Sequence, residues 1–264
     1  MFRVEIGKSL RRLRTWVFAA GLAGLAVLPV VVLSTSSGGA GGPVFFDFIK
    51  RNGLFAALTV LALIQPFFLP LGTALLAGES IASEASNGTL RYLVARPVGR
   101  ARLVLLKYAA VMTQVAAAIG WVMLVGLAAG GIAFGFGRLP TLSGNTISEG
   151  AALARILGTG LYVLCGMAGL AALGVFISTL TDSGPGASVA TMAIAIASQI
   201  VDSLPTLHAV HPYLISHGWL AFVDLFRTPI EWGAMIRGLE LDAVYAMAFL
   251  ALALWVFNRK DVVS

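Results

Sequence analysis

Polar side chains set inside apolar runs are the residues of this chain whose types and spacing carry chemistry. Gln65 stands beside Pro66, with Phe67, Phe68 and Pro70 following, and the prolines free backbone carbonyls and bend a helix. Gln199 and Asp202 lie three apart and share one helical face. In lipid such groups are costly, so each marks a solute route or an interhelical hydrogen bond. His208, His211 and His217 form a third group, and imidazole is a common ligand for zinc and copper. Pro212 interrupts them and no cysteine is near, so their spacing favours interfacial hydrogen bonds and predicts no metal.

Charge is scarce around these groups. Of 264 residues, 58% are hydrophobic and 11% charged, against about a quarter charged in soluble domains. An integral membrane protein follows. The net charge of +6 does not mark a nucleic-acid binder, because the basic residues lie beside the apolar runs rather than along a soluble face. The single cysteine, Cys165, lies in an apolar run and reads as a small buried residue.

Six apolar runs are long enough to span a bilayer or nearly so: 15–33, 53–77, 104–136, 151–180, 187–204 and 243–257. They lack barrel alternation and are expected to be helices, in one all-α membrane domain spanning 1–264. The first is expected to be a retained span, since no A-x-A cleavage site follows it. Ahead of it, Phe2, Ile6, Leu10 and Leu13 recur at helical spacing opposite Arg3, Lys8, Arg11, Arg12 and Arg14. An amphipathic helix over 1–14, lying in the membrane interface, is the expectation. With both termini inside, twelve of the eighteen basic residues are cytoplasmic. Residues 203–242 hold prolines and histidines and read as an external re-entrant or interfacial pair of short helices, anchored by Tyr213, Trp219 and Trp232.

The longest charged segment joins the second and third runs, over 78–102. Glu84, Gly88, Thr89, Leu90, Pro97, Arg100 and Lys107 stand there in the order E-x3-G-T-L-x6-P-x2-R-x6-K. Asn87-Gly88 can end one helix, Thr89 can cap the next, and Arg96-Pro97 stops it. Leu90, Leu93 and Val94 then share a face suited to a groove on a soluble partner.

This order, with the basic N-terminal helix, six spans, external short helices and basic tail, resembles ABC-2 type permeases along essentially the whole chain. The resemblance implies a bacterial cytoplasmic-membrane transporter subunit, exporter-like, with both termini cytoplasmic. It implies a separate ATPase subunit carrying ATP and Mg, a second permease subunit, same or homologous, and membrane lipids as partners. It assigns ATPase coupling to Glu84, Gly88, Thr89, Leu90, Pro97 and Arg100. Glu79, an extra acid without a clear family counterpart, joins them. It places Gln65, Phe68, Gln199 and Asp202 along the substrate path.

No G-x-x-x-x-G-K-[ST], H-E-x-x-H or G-x-S-x-G occurs, so the chain is not expected to be an enzyme or to bind a cofactor directly. The rivals are a secondary transporter or channel, which calls for ionisable residues near mid-membrane, and an intramembrane enzyme.

Overall fold

The computed structural model describes residues 13–35, 49, 52–86, 88 and 99–259. Seven α-helices account for most of them: α1 (Leu13–Thr35), α2 (Leu54–Ile64), α3 (Phe68–Ser86), α4 (Arg100–Phe134), α5 (Glu149–Leu180), α6 (Gly184–Asp202) and α7 (Trp232–Arg259). A two-stranded antiparallel ribbon, β1 (Leu139–Pro140) with β2 (Thr146–Ile147), links α4 to α5. Helices α1, α4, α5, α6 and α7 are long and apolar enough to cross a membrane. The pair α2 and α3 passes the same test jointly and bends by 59° at its break.

Gln65, Pro66 and Phe67 form that break. Pro70 has no N–H, so the Pro66 carbonyl one turn earlier loses its helical donor. Gln199 Nε2 of α6 supplies the missing bond at 2.7 Å. The kink expected from the prolines is thus present, and a side chain from another helix completes it.

Helix α5 forms the centre, packed against α3, α4, α6 and α7. Its small residues permit this: a methyl on Gly174 would lie 2.6 Å from Ala77 Cβ of α3. In α4, a methyl on Gly130 would lie 2.5 Å from Ala56 Cβ, so this glycine serves packing within the chain. Gly135 caps α4 with φ 71° rather than packing a second helix. Apolar side chains elsewhere face outward, among them Leu124, Ile132, Leu161, Val189 and Met247. This perimeter marks an all-α membrane protein. Cys165, expected to be buried, is exposed on this perimeter.

The last span begins earlier than expected. The last run was read from residue 243, whereas α7 begins at Trp232. Arg237, Glu240 and Asp242 hide its first turns from a search for uncharged runs. The segment between α6 and α7 holds three short 3-10 helices, Pro205–Leu207, His211–Tyr213 and Ala221–Phe226. Trp219, expected as an interfacial anchor, is buried with Phe222 and Phe226, while Tyr213 and Trp232 are exposed. The interfacial helix expected over 1–14 lies outside the described residues up to residue 12.

Candidate functional site

Three of the four residues assigned to a solute path meet in one cleft. Gln65, Pro66, Gln199, Asp202, Ser203, Ser216, Trp219 and Leu220 line a space of about 190 Å³. The α2–α3 break supplies the first two, the last turn of α6 the next two, and the following segment closes the side. Phe68 does not line it; its ring packs edge-on against Phe67 at 5.3 Å between centroids.

The cleft is polar and incompletely satisfied. Gln65 is 0% exposed, yet neither its Oε1 nor its Nε2 has a hydrogen-bond partner. The indole Nε1 of buried Trp219 is likewise unpartnered. Leaving such groups unpaired costs about 1–3 kcal/mol each, and both are covered from water, so they form the wall behind the cleft rather than its open surface. Ser216 ties the overlying segment to α6, its Oγ 2.7 Å from Ser198 Oγ.

Asp202 ends α6 at the rim of the cleft. His217 Nδ1 lies 2.7 Å from its Oδ1 and His211 Nδ1 lies 3.9 Å away. His211 Nε2 stands 3.2 Å from the Leu204 carbonyl oxygen. The histidine spacing carried no sign of this grouping, because the acid that unites them is on another element.

At the opposite end of the bundle lie the residues assigned to ATPase coupling. Glu79 and Glu84 stand within α3, not in a loop, so the linker is shorter than 78–102 on its first side. Gly88 follows the helix with φ 65°, a left-handed turn that glycine adopts without strain. Glu84 is not on an exposed surface: its Oε1 lies 3.3 Å from Lys107 Nζ of α4, with side chains 15% and 10% exposed. The Glu79 side chain packs on α6, where a methyl on Gly184 would lie 3.4 Å from its Cγ. Arg100 opens α4 and donates from Nη1 to the Asn258 carbonyl near the end of α7 at 3.0 Å. Thr89, Leu90 and Pro97 lie outside the described residues.

Ser178 of α5 adds a fixture that no motif announced. Its Oγ accepts from the backbone N–H groups of Ile81 and Ala82 at 3.0 and 2.8 Å and donates to the Gly78 carbonyl at 2.7 Å. The last turns of α3 are thereby bonded to the central helix.

Asp242, read as the last residue of the external region, lies within α7, 4% exposed, with Oδ1 unpartnered. It faces α5, where a methyl on Gly166 would lie 3.6 Å from its Oδ2 and 3.4 Å from Trp219 Cδ1. Trp219 therefore stands both at the cleft and beside the Gly166 surface that Asp242 touches. Met235, Gly238 and Asp242 are the buried positions of 232–249 and recur at helical spacing.

Fold and perimeter define the class as an all-α membrane protein with a polar cleft at one end. More narrowly, the chain belongs to the DUF2705 family, described as a protein of unknown function, whose pattern matches residues 26–263. No curated protein matches it.

Proposed function

We propose that the chain is the membrane-spanning subunit of an ABC-2 type transporter, exporter-like, driven by a separate ATPase subunit. The bent pair α2–α3 then counts as one span, giving six, with both termini cytoplasmic. Two such subunits, identical or homologous, enclose the path, and the sparsely buried α7 offers an apolar face to lipid or to the second subunit.

The bracing at the linker end carries this reading. The segment between Gly88 and Gly99 leaves from α3 and enters α4, and those helices are joined there by Glu84–Lys107. Arg100 ties the same point to α7, and Ser178 ties α3 to α5. A push on the segment is therefore delivered to four helices at once. An ATPase docked on it moves the spans only if it contacts the segment differently in its two states. At the other end, the cleft with unpartnered Gln65 is the natural place for a polar part of the cargo.

A second reading, a transporter driven by an ion gradient, has one specific observation in its favour. Asp242 is a buried carboxylate deep in the bundle, the kind of group on which proton relays are built. One experiment separates the two. The chain, tagged and purified in mild detergent from cells of its source, is expected to carry a soluble ATPase with it. Leu90→Asp, which puts a charge on the docking face, is expected to release that ATPase while the membrane protein keeps its yield. Recovery of the chain without a nucleotide-hydrolysing partner overturns the first reading in favour of the second.

A further inference from the structure

We propose that Asp202, His211 and His217 form a binding site for a transition-metal cation of the zinc and copper class, at the rim of the polar cleft. Their ligand atoms all lie within 4.8 Å of one another. The residues come from the last turn of α6 and from two positions in the segment that covers the cleft.

The hydrogen bond behind His211 carries the argument. A carbonyl oxygen only accepts, so His211 Nε2, 3.2 Å from the Leu204 oxygen, holds the ring proton. In the neutral ring Nδ1 is then a lone pair, and it faces Asp202 Oδ1 at 3.9 Å. That nitrogen is therefore available to a cation that the Asp202 carboxylate also holds. A backbone carbonyl behind an imidazole is also the usual outer support of a metal-binding histidine, fixing its tautomer and raising its basicity.

The distances suit a small tetrahedral ion. Zinc binds imidazole nitrogen and carboxylate oxygen at about 2.0–2.2 Å, which sets donor atoms about 3.3–3.5 Å apart. The observed separations from Asp202 Oδ1, 2.7 Å to His217 and 3.9 Å to His211, bracket that value. The present contact of His217 with Asp202 is a hydrogen bond, so an ion binding there displaces the proton shared by that pair. Two imidazoles select against magnesium and calcium, which take oxygen ligands.

Three protein ligands leave a fourth position open. Asp202 also lines the polar cleft, so the site adjoins that space. Occupancy ties the end of α6 to the cover of the cleft through bonds far stiffer than the present hydrogen bonds. The site stands independently of the ATP-driven reading.

The test uses full-length protein freed of any histidine tag, in detergent, carrying Cys165→Ser. Titration with Zn²⁺ is expected to saturate at one ion per chain while Mg²⁺ gives no signal, and Co²⁺ is expected to show tetrahedral d–d absorption. Loss of an outer support alone costs about 10–100-fold in metal affinity, so His217→Ala and Asp202→Asn are each expected to weaken Zn²⁺ at least about 100-fold. His217 is 47% exposed on its side chain, so its replacement removes a ligand with little packing. His217→Cys restores a ligand and is expected to retain Zn²⁺ and add a thiolate charge-transfer band with Co²⁺. Absence of saturable Zn²⁺ binding, or binding that the alanine and asparagine variants leave unchanged, overturns the proposal.

Discussion

Glu84 illustrates how one contact changes the meaning of a residue. Read along the chain, it belongs to a charged linker and faces a partner; in the fold it is paired with Lys107 at 3.3 Å, both side chains largely covered. Removing one member of a buried ion pair costs up to about 3–5 kcal/mol, because the charge left behind loses its compensation. Glu84→Ala is therefore expected to lower the unfolding midpoint of the purified membrane protein with no partner present. Glu84→Gln with Lys107→Met, which removes both charges, is expected to recover most of the loss. If Glu84→Ala leaves the purified protein as stable as before and instead releases the ATPase, the carboxylate is a docking contact after all. Gln65 and Asp242 differ from this pair: both amide atoms of Gln65 and Oδ1 of Asp242 are buried without partners, and that unmet capacity marks them as sites rather than struts.

At the scale of elements, the break between α2 and α3 is what builds the cleft. Pro66 and Pro70 bend the pair by 59°, which turns Gln65 inward and leaves the Pro66 carbonyl to Gln199. That bond replaces the one Pro70 cannot make, so the two are energetically coupled. Gln199→Ala is expected to cost about 1 kcal/mol, the net worth of one hydrogen bond at a half-buried acceptor. In a Pro70→Ala background the backbone N–H regained at that position can reach the Pro66 carbonyl, and the same substitution is expected to cost clearly less. Unfolding of the four proteins in mixed micelles measures the coupling. Equal costs in both backgrounds would show that Gln199 does not complete the kink. The segment after α6 is an element of a different kind, held by Tyr162 to the Gly218 carbonyl at 2.7 Å and by Arg155 to the Leu225 carbonyl at 2.8 Å. These bonds come from α5, so the cover of the cleft is anchored to the centre of the bundle.

For the molecule as a whole, the two ends have distinct characters. One gathers Glu84, Lys107, Arg100 and the end of α7; the other gathers the ribbon, the 3-10 helices and the cleft. Under the proposed orientation the first faces the cytoplasm. In a Cys165→Ser background, Ser264→Cys is then expected to resist a membrane-impermeant thiol reagent in intact cells. Tyr213→Cys, at an exposed position of the cover segment, is expected to react. The reverse pattern of labelling would invert the orientation and remove the linker from the side where an ATPase works.

Composition and the lengths of apolar runs were enough to establish a helical membrane protein, because lipid leaves the backbone little choice but to satisfy itself within helices. They also located the proline kink, since it is a property of a single residue type. Local reading missed the start of α7, because three charges interrupt its first turns, and it missed the partners of every polar group. Glu84 with Lys107, Ser178 with α3, Gln199 with Pro66 and Asp202 with two histidines are separated along the chain and meet only when helices pack. Whether a polar side chain is a strut, a ligand or an unmet hydrogen-bonding group depends on what lies within about 3–4 Å of it, and only the tertiary structure decides that.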